Sequence, residues 1–144
     1  MGEREEANVR WLRRAYELLN AHDLDGLELL FAPEFTLNDQ RISFAEWKRQ
    51  RATFLQAFPD MHCTVEEVFA QGDALADRHT VRMTHLGPFR GIAPTGRRVT
   101  HSALELLHFA DGVLVEAWDY ADMTSLMRQL QDGAPPAPES SGTL

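Results

Sequence analysis

The chain has 144 residues, 44% of them hydrophobic and 25% charged, the composition of one ordinary globular domain with a core of its own. Its 22 acidic and 14 basic residues leave a net charge of -8, which excludes the basic footprint of a nucleic-acid binder. A single cysteine, Cys63, excludes an internal disulfide framework and a cysteine-rich zinc site, and its apolar neighbours point to a buried structural thiol. No run approaches the ~18 apolar residues of a membrane span. The polar start Met-Gly-Glu-Arg-Glu-Glu is unlike a secretory signal, so a cytoplasmic protein is expected.

Helical periodicity comes first. Val9, Leu12, Tyr16 and Leu19 recur at helical spacing, widened by Trp11, Ala15 and Leu18, and predict a helix over residues 5–21. Asp23 is placed to cap a short second helix carrying Leu24, Leu27 and Leu30, which Pro33 ends. Residues 34–38 read as a short strand. Ser43 and Glu46 have the spacing of a capping box and open a third helix through Trp47, Phe54 and Phe58, stopped by Pro59.

The period then changes from 3.6 to 2. Strands are predicted over residues 61–70, 74–85, 98–109 and 113–120. Gln71-Gly-Asp73 and Asp111-Gly112 form the turns, and the glycine- and proline-rich residues 87–96 form a loop. A last helix is expected over residues 123–131. Residues 1–132 make one domain, and the low-complexity residues 133–144 are expected to be a disordered tail. Helices followed by a run of strands predict an α+β fold, with a curved antiparallel sheet wrapped around the N-terminal helices.

In its order of segments the chain resembles the SnoaL-like polyketide cyclases of the NTF2-like superfamily of cone-shaped folds. The matching pieces are Ala21-His-Asp-Leu-Asp-Gly-Leu27, Phe58-Pro-Asp60, Gly72-Asp73 with Arg78, Thr84-His85-Leu-Gly87, Gly91-Ile-Ala-Pro-Thr-Gly-Arg97, and Asp111-Gly-Val-Leu-Val-Glu-Ala-Trp118 with Asp122. The resemblance implies intramolecular aldol ring closure of a polyketide-type ester, without metal or organic cofactor, in an apolar pocket. It places the acid/base role on Asp122 and a pocket role on His108. The family often carries a glutamine where this chain has Leu106, which makes the pocket drier.

Glu116, Trp118, Tyr120 and Asp122 share one strand parity, as do Ser102, Leu104, Leu106 and His108. If both sets face inward, Asp122 and His108 are the catalytic pair, with Trp118, Tyr120 and Leu106 as pocket wall. An aspartate among aromatics is desolvated, which raises its pKa toward the range of a proton carrier. Asp122 is equally placed to cap the last helix, with Ser125 three residues on. His85 is a candidate at the mouth of the cone or a turn-stabilising residue. Tyr16, Trp47 and Phe54 belong to helical core stripes and can line the pocket from the helix side. Arg78 and Arg82 are expected to pair with Glu105 on one sheet face. None of the histidines His22, His62, His79, His85, His101 and His108 forms a tight metal-type pair, so no metal is expected.

The expected ligand is a small hydrophobic molecule, and the sheet face is the expected homodimer contact. The enzyme reading, a lyase- or isomerase-type cyclase, needs a cavity of roughly 300 Å3 with Asp122 and His108 on its wall. The alternatives are a non-catalytic binding or dimerisation module with a filled cone, or a related isomerase or epoxide hydrolase.

Overall fold

A computed structural model describes residues 1–133; the expected tail, from residue 134 onward, lies outside the described residues. In chain order the elements are α1 (Glu3–Asn20), a short 3-10 helix (Asp25–Leu30), β1 (Phe31–Leu37), β2 (Gln40–Ser43), α2 (Phe44–Ala57), β3 (His62–Gln71), β4 (Ala74–Thr84), β5 (Arg98–Ala110), β6 (Val113–Ala121) and α3 (Met123–Asp132). The six strands form one unclosed sheet in the order β2-β1-β6-β5-β4-β3. All neighbours are antiparallel except the β1–β6 pair.

Local chemistry explains most of the boundaries. Asp23 Oδ1 accepts from the Gly26 amide and opens the 3-10 turn, and Ser43 Oγ accepts from the Glu46 amide at the start of α2. Pro33 does not end the second helix but lies within β1. The strand β2 has no counterpart in the sequence reading. It is made by Asn38 and Asp39, whose positive φ angles of 48° and 67° are those of a tight hairpin turn. Asp111 and Gly112 form the equivalent turn before β6, with φ of 52° and 79°.

Two apolar clusters fill the space between helices and sheet. One gathers Leu12 and Leu18 of α1 with Phe31, Phe35, Leu75 and Leu107. The other gathers Phe58, Met83, Val99, Leu126 and Leu130 and clamps α3 to the sheet. Burying side chains of this size contributes about 1.5–3 kcal/mol each. The β4–β5 loop is pinned at both ends. Gly87 sits so close to α2 that a Cβ there would lie 2.4 Å from the Gln56 carbonyl oxygen, and Arg97 donates to the Gln129 and Leu130 carbonyls at the end of α3.

Asp122 caps α3: its carboxylate accepts from the Ser125 amide at 3.0 Å, and its own amide donates to Ser102. Replacing Asp122 by alanine is expected to cost about 1 kcal/mol of stability, with asparagine retaining most of the cap. Urea denaturation checks this, read as a shift in midpoint at constant slope. An alanine variant as stable as the parent would show that the cap carries no weight.

Candidate active site

The cone encloses a partly open cavity of about 260 Å3, just under the volume expected for an enzyme of this type. Its helix side is aromatic: Trp11, Tyr16, Trp47 and Phe54 project from α1 and α2. Its sheet side is ionisable: His79 from β4, His101 and Glu105 from β5, and Asp119 from β6.

Strand register creates this arrangement. Asp77 pairs with Glu105 across β4–β5, and Glu105 pairs with Asp119 across β5–β6. Three carboxyl groups therefore stand side by side in one row across three strands. Like charges directly opposite one another repel, so the row is stable only if it keeps protons. Burial, followed by the Asp77 carboxyl, pushes Glu105 up to about 8. Burial pushes Asp77 up to about 6, and burial followed by Glu105 raises Asp119.

Hydrogen bonds fix where the protons go. The Tyr16 hydroxyl donates to Glu105 Oε1 at 2.6 Å. Its own acidity is strongly suppressed, by burial first and then by Glu105. His79 Nδ1 lies 2.7 Å from Asp77 Oδ1, so the ring donates there from Nδ1. The other Asp77 oxygen is buried without a hydrogen-bond partner, and the Glu105 carboxyl is close enough to interact with Asp77 directly. His79 and His101 are held neutral by burial, His101 down to about 4. Asp119 differs from the rest of the row. Its backbone is anchored by Asn38, whose side chain accepts from the Asp119 amide at 2.8 Å and donates to its carbonyl at 3.2 Å. Its carboxylate faces the cavity and makes no side-chain hydrogen bond among the described residues.

Asp77, His79 and Glu105 are the group with donor types and spacing for a metal ion among the described residues, their ligand atoms lying within 4.8 Å of one another. Those atoms already engage one another and Tyr16 in the contacts of a proton-sharing cluster. Cys63 lies on the cavity wall as a buried thiol, pushed up to about 12 by burial, and is no nucleophile.

The predicted catalytic pair is not at this site. Asp122 is an exposed helix cap outside the cavity wall. His108 lies on the opposite face of β5, with its Nε2 3.7 Å from Glu116. Trp118, Tyr120 and Leu106 also face outward, around an open depression on the outer sheet surface. The physical reason is a bulge: His108 pairs with Glu116 but Phe109 with Leu114, so Val115 is an extra residue in β6. Leu114 points inward, and uninterrupted alternation from it would bring Trp118 inside. The bulge turns Ala117 and Asp119 inward instead. Glu105 follows the same inner parity, so Arg78 pairs with Glu67 on the outer face rather than with Glu105.

His85 is fully buried under the β4–β5 loop, where its Nδ1 accepts from the Thr95 amide and its ring packs on Phe58. Its position is that of a turn-stabilising residue away from the cavity wall. Tyr16, Trp47 and Phe54 do line the cavity. The residues that sequence reasoning missed are Asp77, His79, His101, Glu105 and Asp119. The available signal was the set of ionisable residues sharing one strand parity with Leu75 and Val81 in β4 and with Val99, Ala103 and Leu107 in β5.

A model of the SnoaL-like polyketide cyclase family matches residues 9–130. The chain belongs to that family. It is 39% identical over 130 residues to the aklanonic acid methyl ester cyclase AcmA of Streptomyces galilaeus, covering 86% of this chain and 90% of that protein. Among solved structures, AclR of Streptomyces galilaeus, a candidate hydroxylase, is 33% identical with a TM-score of 0.76, covering 92% of this chain and 98% of its own. IdmH of Streptomyces antibioticus, a candidate polyketide cyclase, is 28% identical with a TM-score of 0.78, covering 85% and 96%. The fold is the α+β cone of this family: a curved, unclosed six-stranded sheet with N-terminal helices.

The carboxyl row makes stability pH-dependent. Below Glu105's ordinary value of 4.5, folded and unfolded chains both hold its proton. As pH climbs toward about 8 the unfolded chain releases it first, so this group's contribution to stability falls across that window. Glu105→Gln mimics the protonated acid, accepting from Tyr16 and donating to Asp77. The variant is expected to gain about 1–2 kcal/mol on the parent between about pH 5 and about pH 9, by urea denaturation. An unchanging difference would mean that Glu105 keeps no raised value.

Proposed function

We propose that this protein is a polyketide cyclase that closes a ring by intramolecular aldol condensation, with Asp119 as the proton carrier and with no metal or organic cofactor. The observation that carries the reading is the unengaged carboxylate of Asp119 in an aromatic cavity, its proton affinity raised by burial and by Glu105. Family membership and the AcmA relative, a methyl ester cyclase, supply the substrate class.

In this mechanism the Asp119 carboxylate takes a proton from a carbon flanked by carbonyls, so that a C–H bond breaks and an enolate forms. The enolate carbon attacks a ketone carbon of the same folded chain, a C–C bond forms, and the resulting alkoxide recovers the proton from Asp119. Protons and electrons balance without an external partner. A raised pKa brings the carboxyl closer to the carbon acid it must deprotonate and lets it return the proton at neutral pH. Trp47, Phe54 and Tyr16 hold the substrate folded, converting ring closure into a reaction between positioned groups.

Asp119→Asn keeps the shape and removes the proton carrier. It is expected to lower turnover of an aromatic polyketide methyl ester by at least ~100-fold, whereas Asp122→Asn stays within a few-fold of the parent. Product formation followed by chromatography checks both. Full activity in Asp119→Asn would transfer the role elsewhere.

We also propose a homodimer through the outer sheet face. Phe69, Leu104, Leu106 and Tyr120 are 69%, 57%, 40% and 62% exposed there around a depression of about 570 Å3, an apolar surface rarely left open in a monomer. The Arg78–Glu67 pair at its rim carries both signs of charge and can match a second copy of itself. Light scattering is expected to give a dimer mass for the parent and a monomer for Leu104→Arg. A monomeric parent at tens of micromolar would exclude this contact.

A further inference from the structure

The aldol route creates a negative charge before it consumes one. When Asp119 takes the carbon proton, the electron pair left behind moves to the carbonyl oxygen, inside a cavity whose sheet wall is already acidic. Charge of that kind in a water-poor site needs a fixed positive partner. Among the described residues the cavity wall contains one Lys or Arg side chain, that of Arg51 on α2. The neighbouring rings of His79 and His101 are held neutral by burial and supply no compensating charge.

The setting of Arg51 is that of a donor held ready. Its guanidinium carbon lies 5.3 Å from the ring centroid of Trp47 and 5.9 Å from that of Phe54, both of which line the cavity. These aromatic faces orient the group at little entropic cost. Among the described residues Arg51 forms no salt bridge and no side-chain hydrogen bond, although its charge is felt at Asp119, His79 and Cys63. A cation kept only to balance Asp119 would be expected to contact it, as the sheet-surface Arg78 contacts Glu67.

We propose that Arg51 is a further catalytic residue, whose N–H groups hold the enolate oxygen formed when Asp119 deprotonates the substrate. This rests on the cyclase reading above and adds a chemical requirement to it: the substrate presents an enolisable carbonyl to α2 while its acidic carbon faces β6. Ring closure then moves the charge from the enolate oxygen to the new alkoxide beside Asp119, and Arg51 returns to its unpaired state.

An oxyanion that can be watched without turnover tests this. Alizarin is a polyketide-like dihydroxyanthraquinone that changes from yellow to red when a phenol ionises. It is titrated free and bound to the intact protein, with binding followed by quenching of Trp11 and Trp47 fluorescence. In the parent the bound phenolate is expected to be favoured at least ~10-fold over the free dye, a displacement of about one pH unit in the colour change. Arg51→Gln is expected to abolish or reverse that displacement, because the acidic wall alone disfavours an anion, while Arg51→Lys keeps part of it. If the parent and Arg51→Gln titrate the bound dye identically, the proposal falls and the cyclase reading stands. If the dye does not bind even to the parent, the cavity does not accept a polyketide-type ring system and both fall.

Discussion

Three carboxyl groups in one row across β4, β5 and β6 are the constraint on which the site depends. Asp77, Glu105 and Asp119 are direct cross-strand neighbours, Asp77 buried and the other two half-buried. No arrangement in which all three ionise is affordable in so small a space. The surroundings supply donors to divide the charge: the Tyr16 hydroxyl from α1, the His79 ring from β4, and a proton shared between Asp77 and Glu105. Asp119, at the end of the row, is left as the member facing open space. Its reactivity follows from the protonation of its neighbours.

This row is costly to the fold. Replacing the whole buried group by well-packed apolar residues would remove its desolvation cost, whereas Leu or Val at position 105 alone would leave the Tyr16 hydroxyl and Asp77 without their partner. Keeping the acids requires α1 to be locked so that Tyr16 stays in reach, and it is. Asn20 exchanges two hydrogen bonds with the Cys63 backbone, and Trp11 donates to the Leu30 carbonyl, tying the C-terminal end and the middle of α1 to what it covers. The helix is therefore a positioning device as much as a core element, and its apolar stripe and its chemistry share one face.

The fold was largely legible in the sequence, because element periods and turn residues are local signals. Ser43, Asp23 and the Asp111-Gly112 turn each act within a few residues and did what their chemistry predicts. The site was legible only as a type: an aspartate by the last strand's tryptophan, in a cavity shared with aromatics. Asp122 was the aspartate expected in the cavity; that Asp119 faces it instead depends on the parity of β6, which the bulge at Val115 reverses without any sequence mark such as a glycine. The expectation that large apolar side chains face inward added to the error. On this sheet Trp118, Leu106 and Tyr120 face out, whereas His79, His101, Glu105 and Asp119 face in. An apolar patch set into an otherwise polar outer face, and an ionisable row set into an otherwise apolar inner face, depart locally from the usual pattern. One suits a second protein surface and the other a ligand.

The two walls of the cavity constrain how a substrate lies in it. Aromatic rings gain by stacking on Trp47 and Phe54, and they gain nothing beside the carboxyl row, whose groups need oxygen atoms as partners. A polyketide has both kinds of surface on opposite edges: a fused-ring face and a string of carbonyl oxygens. The favourable pose therefore turns the rings toward α2 and the uncyclised carbonyl chain toward β5 and β6. In the proposed reaction that pose would bring the reacting carbons to Asp119 and a carbonyl oxygen to the edge of the aromatic wall where Arg51 stands. The asymmetry that sets ionisable groups on the sheet side and aromatic rings on the helix side thus favours one orientation of such a ligand over its reverse.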